Sequence, residues 1–139
     1  MKLTIFADGG SRGNPGPAAC GVVILANGQK LAEFGQKIGI TTNNFAEYKA
    51  LELAFEKAVT ICQKQKFEKI EVFMDSQLVI RQLTGQFKIK EPKLAGILAN
   101  ILKLEKLLPS VNYNLVGRAK NWQADRLVNL ALDQKTGNS

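Results

Sequence analysis

The chain has 139 residues, 45% apolar and 22% charged, a balance that fits one globular domain over residues 1–139 and excludes a disordered or membrane-embedded class. Nineteen Lys and Arg against twelve Asp and Glu leave a charge of +7, which favours polyanion partners, nucleic acid ahead of membrane. The absence of histidine excludes Ser-His and Cys-His nucleophiles and His-ligated zinc, and Cys20 and Cys62 lack the spacing of a metal or redox pair.

Leu3 to Ala7 reads as a short core strand ending at Asp8. Gly9, Gly10, Gly13 and Gly16, with Pro15 and Pro17, then form a turn-rich segment whose backbone can approach a ligand closely. It is not a P-loop, because GGSRGNPG lacks the Lys of that motif. Residues 18–26 make a second strand, Asn27-Gly28 a hairpin turn, and residues 29–38 a third strand. Thr41-Thr42-Asn43-Asn44 supplies N-cap chemistry for a helix over about 44–64, with Glu47, Ala50, Leu51, Ala54, Ala58 and Ile61 on one stripe.

Lys69 to Met74 is another core-type strand, followed by Asp75, and a short helix runs from Ser76 until Gly85 stops it. A basic connector over residues 87–93 leads to a helix at about 94–108 and a last strand at 111–116. Gly117-Arg118-Ala119-Lys120 loops into a final helix at about 121–132, and residues 134–139 form a tail expected to fray. Trp122 and Tyr48 read as packing residues. Antiparallel strands followed by strand–helix alternation imply an α/β fold, a mixed sheet flanked by helices. No apolar run reaches membrane length and no signal-peptide pattern opens the chain, so a cytoplasmic protein without membrane contact is expected, monomeric by default.

Four acids stand out, and each has an ordinary explanation. Asp8 can open an Asx-turn, and Glu47 can close a capping box with Asn44. Asp75 can cap the helix after it, and Asp125 suits the first turn of the last helix. The topology nevertheless gathers all four on one side of the sheet, where unpaired carboxylates repel one another and resist ionisation. Hard divalent cations relieve that conflict, and a pair about 3.5–4 Å apart suits in-line phosphoryl displacement without histidine or thiolate.

In order along the chain, DGGSRGNPGPAA (8–19), TNNFAEYKAL (42–51), DSQLVIRQL (75–83) and RAKNWQADRLVNLAL (118–132) resemble the type 1 ribonuclease H family. The compact length and the lack of a His loop match its archaeal and bacterial branch. The resemblance implies the ribonuclease H-like fold, a five-stranded mixed sheet with flanking helices. It also implies endonucleolytic hydrolysis of RNA in an RNA/DNA hybrid, leaving 5′-phosphate and 3′-hydroxyl ends. By position Asp8, Glu47, Asp75 and Asp125 match the family's ligands for two Mg²⁺ or Mn²⁺ ions, Asp8 shared by both.

Asn14, Asn43 and Gln77 match residues that read 2′-hydroxyls in the minor groove, and Gly10, Ser11, Arg12 and Gly13 bring backbone to the RNA strand. Thr42 matches a DNA-phosphate contact, with ordinary capping as its competing role. Arg118 stands where longer members carry a loop His and is the candidate to steady charge on the departing phosphate. Lys88 and Lys90, with Lys93 and Phe87, are what is left of a basic protrusion. A catalytically silent nucleic-acid-binding module is the alternative from another class, and a resolvase or exonuclease of the same architecture is a third. Whether other RNA-containing duplexes serve as partners is open at this level.

Overall fold

The computed structural model describes residues 1–85 and 91–134; Phe87, Lys88, Lys90 and the end of the tail lie outside the described residues. β1 (Lys2–Ser11), β2 (Gly16–Ala26) and β3 (Gln29–Thr41) form an antiparallel meander. Its turn is the Asn27-Gly28 pair, at φ 52° and 78°, the left-handed conformation that a tight hairpin needs. β4 (Lys69–Met74) and β5 (Ser110–Leu115) add in parallel on the other edge of β1, giving the order β3-β2-β1-β4-β5. This is the five-stranded mixed sheet expected.

Helices cover both faces. α1 (Asn43–Lys64) packs on β1 and β2, with α3 (Pro92–Glu105) behind it, and α2 (Gln77–Leu83) follows β4. α4 (Trp122–Asp133) lies against β1, β2 and β3 on the opposite face, entered through a 3-10 turn at Arg118–Asn121. The core is the α1 face: Leu3, Ile5, Val22, Ile24, Tyr48, Leu51, Phe55, Ile70, Val72 and Met74 are fully buried. Burial of such side chains stabilises by about 1.5–3 kcal/mol each, before chain entropy is set against it.

Several boundaries differ from the sequence reading, chiefly in three elements. β1 does not stop at Asp8 but runs to Ser11, because Gly9 and Gly10 pair with Cys20 and Ala19 instead of turning. β3 continues to Thr41 through a bulged register near Ala18. α3 starts at Pro92, where Glu91 caps it with carboxylate bonds of 2.9 Å to the amides of Lys93 and Leu94, and ends at Glu105. Cys20 and Cys62 are both free thiols. Among the described residues no helix is long and apolar enough to cross a membrane.

Candidate active site

The parallel β1–β4 register ends at Phe6 opposite Phe73; carried two residues further, it sets Asp8 level with Asp75. Two close approaches then deliver the other acids. A Cβ on Gly9 would stand 2.0 Å from the carbonyl oxygen of Ala46, so α1 touches the strand one residue before Glu47. A Cβ on Gly21, the β2 partner of Asp8, would stand 2.2 Å from the carbonyl oxygen of Ala124, so α4 touches the sheet one residue before Asp125. Gly35 on β3 continues that seat beneath Leu127. Each helix is pressed onto a bare backbone beside the residue that carries its carboxylate.

The electrostatics reflect this crowding. Asp8 is only 5% exposed. Burial first, then Asp75 and Asp125, push its carboxyl from 3.8 up to about 8, against the pull of Arg118, and its side chain lies within hydrogen-bonding reach of Asp125. Glu47 is pushed up to about 7 by burial, with a smaller push from Asp75; a hydrogen bond with Ser76 and the charge of Arg118 oppose the rise. Asn121 donates through Nδ2 to Asp75 Oδ1 and to the Ala7 carbonyl, both at 2.9 Å. Arg118 spans the group, Nε 3.6 Å from Asp75 Oδ2 and Nη2 3.7 Å from Asp125 Oδ1.

The ordinary explanations of the acids mostly fail here. Thr42, not Asn44, caps α1, accepting from the Phe45 amide at 3.1 Å, so Glu47 closes no capping box. Ser76, not Asp75, caps α2, accepting from the Val79 amide at 3.3 Å. Asp8 lies within a strand and opens no turn. Asp125 does sit in the first turn of α4, where the helix dipole favours it.

Among the described residues no three acids or thiols close on one point as a finished metal cage. Instead two open clefts meet at Arg118. One, of about 400 Å³, includes Asp8, Gly10, Ser11, Arg12, Asn43 and Asp125 in its lining; the other, of about 600 Å³, is bordered by Asp75, Gln77 and Gly117. The donor set is hard oxygen throughout and two of its members are held above their usual range, which fits a divalent cation and no softer metal.

Of the residues expected to meet substrate, Ser11, Asn14 and Asn43 form one rim. Asn14 Oδ1 accepts from the Asn43 amide at 3.0 Å, and Asn43 Oδ1 accepts from the Ser11 amide at 3.2 Å. That links the β1–β2 loop to the start of α1, and Gly13 at φ 96° closes the loop. Gln77 is exposed beside Asp75. Thr42 is engaged as a helix cap through its hydroxyl, its competing role. Arg12 is tied to the far end of α4, with Nη1 2.7 Å from Asp133 Oδ1 and Nη2 donating to Asn129 at 3.5 Å.

Sequence reasoning singled out neither Asn121 nor Ser76, although both stand inside quoted blocks. Their signal is a small polar residue one position from a catalytic-type acid, or a few residues before one. Trp122 is a correction: it is 56% exposed, because the buried stripe of α4 is Ala124, Val128 and Ala131, off which the indole falls.

Residues 6–131 match the model of the reverse transcriptase-like family. The bifunctional protein Rv2228c of Mycobacterium tuberculosis is 44% identical over 135 residues, 96% of this chain but 36% of that one, so the chain spans about a third of that relative's length. RNase H1 from the halophilic archaeon Halobacterium salinarum superimposes with a TM-score of 0.88 at 42% identity, over 96% of this chain and 98% of the other. LC11-RNase H1, solved in complex with an RNA/DNA hybrid, does so with a TM-score of 0.89 at 44% identity, over 94% of this chain and 96% of the other.

Proposed function

The chain belongs to the ribonuclease H group of the reverse transcriptase-like family, and on that premise we propose that it hydrolyses the RNA strand of RNA/DNA hybrids endonucleolytically. The observation that carries the reading is the gathering of Asp8, Asp75 and Asp125 around Arg118 where two open, polar clefts join, with Glu47 close enough to feel Asp75 and Arg118. Asp8, Glu47, Asp75 and Asp125 would hold two Mg²⁺ or Mn²⁺ ions, with Asp8, which touches the fields of both Asp75 and Asp125, common to the pair. When bound, such ions supply charge stabilisation at the phosphate and a lowered pKa for water.

The protein's own residues do the rest. Asn121 fixes the Asp75 carboxylate by its 2.9 Å bond, and Ser76 steadies Glu47, so neither acid must reorganise as charge develops. Asn14, Asn43 and Gln77 would present side-chain amides to 2′-hydroxyls, which distinguishes the RNA strand from DNA. Water's oxygen forms the new bond to phosphorus while the bond to the 3′-oxygen breaks. That oxygen leaves with a proton, giving 5′-phosphate and 3′-hydroxyl ends. Arg118, exposed and already beside two of the acids, would follow the departing phosphate.

A labelled hybrid incubated with Mg²⁺ or Mn²⁺ should be cut within its RNA strand and left intact in EDTA. Asp8→Asn and Asp75→Asn should each lower the rate at least a hundredfold, whereas hybrid binding without metal-dependent cleavage by the wild type would favour the silent binding module. Arg118→Ala should lower turnover, by less than the roughly 10²–10³-fold lost with a buried charge-stabilising donor because its side chain is 77% exposed, and with less effect on hybrid affinity. An unchanged turnover returns Arg118 to an ordinary solvated loop residue.

A further inference from the structure

The same turn that carries Arg118 ends in an aromatic and basic surface that the reaction at the carboxylates does not use. Trp122 is 56% exposed and forms a wall shared by two neighbouring clefts on the α4 face of the sheet. The smaller, of about 160 Å³, is floored by Phe6 and Leu25 and edged by Lys120; Phe6 is stacked on Phe73 with ring centroids 5.1 Å apart. The larger, of about 300 Å³, carries Arg126 and Leu130. Lys30 and Glu33 also border it but neutralise each other at 2.9 Å. Among the described residues no carboxylate pairs with Lys120 or Arg126, so the patch keeps positive charge on either side of an open indole.

A protein partner is a poorer match for this charge than a polyanion. The patch also adjoins the proposed site: Asn121, between Lys120 and Trp122, is the residue bonded to Asp75. We infer that Trp122, Lys120 and Arg126 form a single-stranded nucleic-acid subsite. A base leaving the duplex stacks on the indole, and its flanking phosphates meet the two cations. Stacking on an aromatic ring tolerates any base, and backbone cations hold the strand without reading it. The inference rests on the ribonuclease reading for its direction: the strand it receives is the single-stranded continuation of a hybrid lying across the carboxylates.

Trp122 is the chain's single tryptophan, so its fluorescence reports on this patch alone. In EDTA, where no strand is cut, hybrids are titrated blunt, with a four-nucleotide RNA overhang at either end, or with a DNA overhang. At least one overhang should quench the emission and bind about tenfold more tightly than the blunt duplex, and salt should weaken that advantage. In Trp122→Ala the overhang advantage should collapse to unity, and in Trp122→Phe, which keeps a ring, it should survive in part. Which overhang quenches assigns the strand. If every overhang leaves both emission and affinity equal to the blunt hybrid, the subsite does not exist. Quenching by a protein that never cleaves would sink the ribonuclease reading and leave this one; cleavage without quenching would do the reverse.

Discussion

Asp8 pays for its position in the metal-free protein, and the sign of that cost can be followed with pH. Its carboxyl titrates at about 8 in the folded chain against 3.8 ordinarily. Below about pH 4 folded and unfolded chains both hold the proton, and the folded state bears no penalty. Between there and pH 8 only the folded chain keeps it, so stability falls as pH rises, by up to about 1.4 kcal/mol per pH unit for an uncoupled group. Glu47, at about 7, adds to the same slope over a narrower window. Because Asp8 is buried against the charges of Asp75 and Asp125, which can rearrange as it ionises, the recoverable part is smaller than the full shift. Asp8→Asn in EDTA at pH 7.5 should therefore be more stable than the wild type by on the order of 2 kcal/mol, with the gap closing near pH 4. Denaturant melts at both pH values measure it, and a variant less stable than the wild type at pH 7.5 overturns the crowding account. Added Mg²⁺ should raise the melting temperature of the wild type and barely move the variant.

At the scale of elements, helix placement depends on Gly9, Gly21 and Gly35, whose close contacts with the helices cannot be read from local sequence pattern. Strand and helix order is legible from apolar periodicity and from Asn27-Gly28, because local pattern suffices for it. Gly9 is different: Asp-Gly-Gly reads as the end of a strand, and only the crossing of α1 reveals that the residue must lack a side chain. Gly9→Ala forces its Cβ to 2.0 Å from a backbone oxygen that cannot rotate away, so α1 must shift and carry Glu47 with it. The expected cost is about 3 kcal/mol, at the upper end of overpacking, with activity falling further than stability explains. Gly96 is the contrast, exposed inside α3 with nothing within 4 Å of an added Cβ. Gly96→Ala should stabilise by about 0.8 kcal/mol through helix propensity alone. Urea denaturation of the two variants tests whether close approach, not glycine as such, is what matters. Trp122 escaped sequence reasoning for a related reason: its helical spacing is compatible with the core, and only the narrow stripe of small residues facing the sheet excludes it.

Over the whole molecule, the +7 charge sets how a hybrid is held, while the acids determine what happens to it. The carboxylates gather where two clefts join, and Arg118, which borders both, partly masks them; the remaining cations are spread over the outer surface. Such a division makes affinity an electrostatic quantity and turnover a local one. Each Lys or Arg that neutralises a phosphate releases condensed counterions, so the logarithm of affinity falls with the logarithm of salt by about 0.9 per contact on a duplex. Lys88 and Lys90, in the basic connector ahead of α3, are expected from sequence to provide two such contacts. Replacing both with alanine should flatten the salt dependence of hybrid binding by just under two, about 0.9 for each lysine. The measurement is fluorescence anisotropy of a labelled hybrid in EDTA across roughly 50–200 mM salt, the range over which contacts of this kind separate clearly. An unchanged slope with weaker binding would mean that the lysines support the α3 entry instead of touching phosphate, and the grip of the chain on the hybrid would then have to come from the rim between Ser11 and Asn43.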